Sequence, residues 1–204
     1  MGPSLGEREV FVTPQHGGNG GRAGNLCAME HRIRTFGDPV LKTMAAEVTD
    51  IDGKVATLAS EMLDVMYDAP GLGLAAPQIG IQKQIFVYDL GDGPNTIINP
   101  RIAESSGEWL YEEGCLSIPG LYVEMLRPRD VLMVGLDLDG NEVQVEATEL
   151  EARLFQHELD HLNGVLMFER MSPEQRKEAM TLWRRMQDEP QPVKKERRRL
   201  LFRG

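Results

Sequence analysis

Between Thr148 and Gly164 the chain carries a helix that the rest of the fold has to surround. Leu150, Leu154, Phe155, Leu159 and Leu162 recur at helical spacing but fall on more than one face, the pattern of a helix buried on most sides. Thr148 and Glu151 have the spacing of a capping box, and Gly164 supplies the stop. The same segment contains His157-Glu158-Leu159-Asp160-His161. Two imidazoles at i and i+4 project from one helical face, at a separation that suits two sites of one tetrahedral metal. Glu158 stands one residue on, where it can reach a metal-bound water without being a ligand. The bland alternative is a helix that holds two histidines by chance. Only four histidines occur in the 204 residues, however, and burying two of them with a carboxylate is costly unless they are engaged.

Two ligands do not make a site, and the third sorts the possible chemistries. A thermolysin-like peptidase needs a Glu about 20 residues beyond the second His. Position 181 is Thr, and the nearby Glu174 and Glu178 start an ordinary amphipathic helix. A longer metzincin pattern is met by Gly164 but ends on Met167, which does not replace a histidine. Cys115, in Glu113-Gly114-Cys115-Leu116-Ser117, is the better candidate. A thiolate with two imidazoles leaves one position open, the pattern of a catalytic zinc-type site. A lone Cys is otherwise a small buried hydrophobe, but the glycine and turn residues around this one argue for a special backbone. Cys27 reads as a free thiol in a loosely specified segment.

Composition removes other classes. The length suits one domain with tails. No apolar stretch approaches the roughly 18 residues of a membrane span. Two cysteines cannot build a disulfide scaffold. The net charge of −10 argues against a protein that coats nucleic acid, although it is uneven: residues 194–204 carry six basic side chains and one acidic. Residues 1–28, with Gly17-Gly18-Asn19-Gly20-Gly21, read as a flexible extension with neither a secretory signal nor a transit peptide. The expected organisation is an extension over 1–28, a catalytic domain over 29–189 and a basic tail over 190–204, in a cytoplasmic protein that binds neither membrane nor DNA.

The remaining elements are short. Val55, Leu58, Ala59, Met62, Leu63 and Met66 predict an amphipathic helix that stops at Pro70-Gly71. Residues 84–147 read mostly as strands: 84–90, 96–98, 109–111 and 131–138. The last puts Leu132, Val134, Leu136 and Leu138 on one face, continued by Val143 and Val145 after the turn at Asp139-Gly140-Asn141. Ser172, Pro173 and Gln175 open a third helix with the stripe Ala179, Leu182, Trp183 and Met186, ended by Pro190 and Pro192. The loop Gly71-Leu72-Gly73-Leu74-Ala75-Ala76-Pro77-Gln78 fits neither a dinucleotide fingerprint nor a P-loop. Its backbone reads as a strand-like rail for a peptide, with Gly73 permitting close approach.

Residues 71–78, Glu113–Ser117 and Gln156–His161 together resemble the three signature motifs of peptide deformylases, in order. Phe36-Gly37-Asp38-Pro39-Val40-Leu41 resembles that family's N-terminal entry, and the likeness spans about residues 32–171. The resemblance implies an α+β fold: antiparallel β-sheets surrounding the central HExxH helix, with an N-terminal and a C-terminal helix. It implies removal of the formyl group from the initiator methionine of nascent polypeptides, with release of formate. Cys115, His157 and His161 would hold one divalent ion, Fe2+ in the cell and Zn2+ or Ni2+ in preparations. Hydroxide on that ion would attack the formyl carbon, with Glu158 as general acid/base. Gln78 and the Leu116 backbone N–H would hold the oxyanion. Leu72, Gly73 and Gly114 would contact the peptide backbone.

Leu150 and Leu154 precede His157 on its helix and are expected to line a pocket for the methionine side chain. Arg153 sits in the same turn and, if it faces the pocket mouth, would bias which residues follow methionine. The basic tail is expected to contact the ribosome through rRNA phosphates, with a disordered charged terminus as the plainer alternative. Another amidase or peptidase, or a deformylase-like binding protein without activity, are the competing functions.

Overall fold

The computed structural model describes residues 31–188. The extension over 1–28 with Cys27, the prolines at 190 and 192, and the basic tail lie outside the described residues.

Helix α1 (Gly53–Asp68) starts where the Asp52 carboxylate accepts hydrogen bonds from the N–H groups of Lys54 and Val55. Val55, Ala59, Met62 and Met66 are buried, as their spacing predicts. A five-stranded antiparallel sheet follows. Its strands are β1 (Gly73–Ala75), β2 (Ile85–Tyr88), β3 (Asn95–Ser106), β6 (Asp130–Leu136) and β7 (Glu142–Thr148), side by side in that order. Strands β4 (Trp109–Cys115) and β5 (Ile118–Arg127) form a separate antiparallel hairpin.

Strand β2 shows how the layers meet. It is buried throughout, and alternate side chains serve different layers. Ile85 and Val87 pack with α1, while Phe86 and Tyr88 pack with Leu154, Phe155 and Leu162 of helix α2 (Glu149–Leu162). Phe155 is enclosed by Phe86 and Tyr88, with ring centroids 5.8 and 5.0 Å away. Helix α3 (Pro173–Asp188) packs Ala179 and Trp183 on Ile118, Leu121 and Met125 of β5. Phe36 joins this cluster edge-on to Phe168 and Trp183. The architecture is α+β, with the HExxH segment on the central helix.

Several expectations need correction. Thr148 precedes α2 but makes no side-chain cap; its hydroxyl donates instead to Asp130 at 2.6 Å. The buried residues of α2 include Arg153, Gln156, Glu158 and Asp160, whereas Leu150 is exposed. On β6, Val131 and Met133 face α2, opposite Ala147 and Val145 on β7. The expected face of Leu132, Val134 and Leu136 is the other one, because both sides of this strand are apolar. Strand β5 was not expected, and β3 and β4 run longer than read. The Ser172–Gln175 capping box is present, both hydrogen bonds at 3.2 Å, but Leu182 of the expected stripe is exposed. Among the described residues no helix is long and apolar enough to cross a membrane.

Gly164 ends α2 at φ +69°, and a Cβ there would stand 2.8 Å from the Lys42 carbonyl carbon and oxygen. Gly53, at the start of α1, has open space around it. Gly164→Ala is expected to cost about 2 kcal/mol or more in urea unfolding, from left-handed strain plus the backbone clash. Gly53→Ala is expected to be neutral or stabilising by up to about 1 kcal/mol.

Candidate functional site

Cys115 sits at the tip of the β4–β5 hairpin. It pairs with Ile118 across the two-residue loop Leu116-Ser117, and the register then shifts, since Gly114 pairs with Tyr122. The residues between, Pro119-Gly120-Leu121, form a bulge with Gly120 at φ +84°. This turn brings the thiol against α2. The ligating atoms of Cys115, His157 and His161 all lie within 4.8 Å of one another. Cys115 Sγ is 3.2 Å from His161 Nε2, and the two imidazoles stand nearly perpendicular with centroids 4.9 Å apart. Burial alone would raise the Cys115 thiol, but the His161 and His157 imidazoles outweigh it and hold it well below its ordinary value.

Glu113 fixes the first histidine. His157 Nδ1 donates to Glu113 Oε1 at 2.7 Å, which leaves Nε2 as the ligating nitrogen. Arg127 donates twice to the same carboxylate at 2.7 Å, and Arg153 donates once at 2.8 Å. Arg127 also reaches Asp160 at 2.9 Å, and Asp160 in turn accepts from Arg170. Burial would raise the Glu113 carboxyl, but His157 and Arg127 hold it well below the usual carboxylate range. This network was missed in the sequence: Glu113 and Asp160 sit inside quoted motifs, but Arg127 comes from the unexpected β5.

A cleft of about 660 Å³ opens in front of these residues. It is lined by Leu72, Gly73, Gln78, Gly114, Cys115, Leu116, Leu150, Leu154, His157 and Glu158, and the remaining expected site residue, His161, adjoins this lining through Cys115, 3.2 Å from its Nε2. Gln78 is buried. Its Oε1 accepts from the Ala75 N–H at 2.8 Å, so its amide NH2 is directed toward Ser117 Oγ and Cys115 Sγ, at 3.3 and 3.9 Å. Glu158 is buried with Oε2 unpartnered, and burial pushes its carboxyl up to about 7. The Cβ side of Gly73 is taken up by Glu158, whose Oε1 lies 2.7 Å from where a Cβ would be.

Arg153 lines the cleft but does not face its mouth. It is 3% exposed, and its guanidinium is engaged by Glu113 and by the Trp109 and Met125 carbonyls at 2.8 Å. Leu154 is a buried wall residue, while Leu150 is at the rim. Glu174 and Glu178 lie exposed on α3, and Met167 is buried in the α3 core, so the peptidase ligand sets are absent here.

The donor set fits a metal ion. One thiolate and two imidazoles converge, with one imidazole oriented by a carboxylate. The buried atoms left without partners among the described residues include Glu158 Oε2 and His161 Nδ1, both in this cluster. A cation facing an open cleft, beside an unengaged carboxylate and an amide donor, is equipped for hydrolysis.

The polypeptide deformylase family model matches residues 30–177. The chain is 49% identical over 138 residues to a peptide deformylase of Clostridium botulinum, covering 68% of this chain and 94% of the relative. It is 50% identical over 139 residues to that of Agathobacter rectalis, covering 68% and 88%. The crystal structure of peptide deformylase from Thermotoga maritima superposes with a TM-score of 0.68 at 45% identity, covering 70% of this chain and 98% of that one. That of a Synechococcus elongatus peptide deformylase in complex with actinonin gives 0.72 at 40% identity, covering 78% and 88%.

Removing one partner from the buried ionic network leaves uncompensated charge. Arg127→Ala is expected to lower unfolding free energy by about 3–5 kcal/mol. Arg129→Ala, which removes an exposed pair with Glu149, is expected to cost less than about 1 kcal/mol. Chemical denaturation of both variants checks the contrast.

Proposed function

Because this chain belongs to the polypeptide deformylase family, hydrolases that remove the N-formyl group from nascent peptides, we propose that Cys115, His157 and His161 hold one divalent metal ion and that Glu158 moves the proton. The observation that carries this is the convergence of the three ligating atoms on the cleft that Glu158 and Gln78 also line. Such an ion supplies Lewis acidity that makes water nucleophilic near neutral pH. The family resemblance favours Fe2+ as the resident ion, with Zn2+ or Ni2+ as substitutes.

The chain's own groups do the rest. Glu158 Oε2, buried and unpartnered, takes a proton from the attacking water and later delivers it to the leaving amine nitrogen. A carboxyl raised by burial to about 7 both accepts and donates a proton near neutral pH. Gln78 Nε2 and the Leu116 N–H donate to the formyl oxygen as it gains negative charge; an amide donor does so without titrating. The balance is cleavage of the formyl C–N bond by one water, giving formate and a free amine.

The substrate backbone runs as a strand between the outer edges of β1 and β4. Among the described residues both strands have one edge without a partner strand, and Leu72, Gly73 and Gly114 bring main chain to the cleft. The methionine side chain is directed against Leu154 and Leu150.

Anaerobically purified protein is expected to hold about one equivalent of metal, chiefly iron, and to release formate from formyl-Met-Ala-Ser. Glu158→Gln is expected to keep the metal and lose about 10²–10⁴-fold in kcat/KM. A variant that keeps near-normal turnover would refute the role of Glu158, and a protein without bound metal would refute the metal site.

A further inference from the structure

Ser117 closes the motif that supplies Cys115, yet the reaction described above gives it no part. It is fully buried and lies outside the cleft lining. Its hydroxyl oxygen accepts from Gln78 Nε2 at 3.3 Å. Its carbonyl accepts from the Phe36 N–H at 2.8 Å, and the Phe36 ring is anchored edge-on against Phe168 and Trp183. Two residues earlier in the same segment, the Arg34 N–H donates to the Gln78 carbonyl at 2.6 Å. Residues 34–36 thus strap the turn that carries Gln78 to the loop that carries Leu116 and Ser117, and they hold Ser117 from behind the cleft wall.

A glutamine amide has a soft last torsion, so its direction must be set by what holds it. The Ala75 N–H holds Oε1 at 2.8 Å and fixes which end is oxygen. That single bond leaves the amide plane able to swing about it. A second bond, from one Nε2 hydrogen to Ser117 Oγ, fixes the plane and with it the direction of the other hydrogen. Among the described residues that other hydrogen has only Cys115 Sγ within reach, at a long 3.9 Å. It is the one left to donate to a group in the cleft that Gln78 lines.

We propose that Ser117 is a positioning residue: its hydroxyl oxygen occupies one Gln78 amide hydrogen so that the other points at the formyl oxygen. The proposal rests on the reading above, in which Gln78 donates to that oxygen. The negative charge develops only in the transition state, so loss of the Ser117 hydroxyl lowers kcat and leaves KM nearly as it is. The test is a double-mutant cycle on Zn2+-loaded protein with formyl-Met-Ala-Ser. Gln78→Ala is expected to lower kcat about 10²–10³-fold. Ser117→Ala is expected to lower kcat about 5- to 30-fold, with KM within about twofold and about one equivalent of metal still bound. In the Gln78→Ala background the same change is expected to cost less than about twofold, because Ser117 acts through Gln78. In 15N NMR without substrate, the Gln78 side-chain NH2 signals, identified by their absence from Gln78→Ala, are expected to move in Ser117→Ala. A Ser117→Ala loss that is absent, equal in both backgrounds, or carried by KM overturns the proposal, as do unmoved NH2 signals. Ser117→Gly removes the same hydroxyl and repeats the cycle where Ser117→Ala does not load with metal. Failure of both variants to load overturns the proposal, because the serine then serves the fold. A Gln78→Ala variant with full kcat, or an unaltered protein that releases no formate, is a separate result, which overturns the parent reading.

Discussion

The Glu113 carboxylate is the interaction on which the site depends. It ends on three partners from two elements: Arg127 on the neighbouring strand, and Arg153 and His157 on α2. Through them it ties the hairpin to the central helix. The hairpin carries Cys115 two residues further on, so the same tie sets the distance between the thiol and the imidazoles. Without it, α2 would present two histidines to a cleft whose third donor was not held in place.

The ionic network explains why α2 is central yet rich in polar residues. Its buried face toward the sheet is apolar, with Phe155 enclosed by Phe86 and Tyr88. Its buried face toward the hairpin holds Arg153 and Asp160, and Glu158 is buried beside Gly73 of β1. Charges there persist because each strongly paired one has a counterpart within hydrogen-bond distance: Glu113 with Arg127 and Arg153, Asp160 with Arg127. Glu158 is the exception, a buried carboxylate oxygen without a partner. In the proposed mechanism that unsatisfied atom is the one that binds and releases a proton.

Much of this was legible in the residues. The spacing of Val55, Ala59, Met62 and Met66 gave α1, because only one of its faces is buried. The HExxH pattern placed two imidazoles on one face, and the lack of a histidine or glutamate at the peptidase positions pointed to Cys115. Other features were hidden for physical reasons. Strand β5 begins with a bulge at Pro119-Gly120, which breaks the two-residue alternation on which a strand reading depends. Both faces of β6 are apolar, so periodicity could not say that Val131 and Met133, rather than Leu132 and Val134, face α2. The burial of Arg153 was not legible, because a guanidinium is buried only where partners such as Glu113 and two backbone carbonyls meet it.

The central claim is that Glu113 acts through His157 to make the metal site. Metal affinity of Glu113→Gln, measured by competition with a chelator of known strength on folded protein, tests it most directly. The glutamine keeps the side-chain shape but not the charge that orients and strengthens the imidazole as a donor. Affinity about 10- to 100-fold weaker than that of the unaltered chain is predicted. A folded variant that binds its metal as tightly as before would contradict the account.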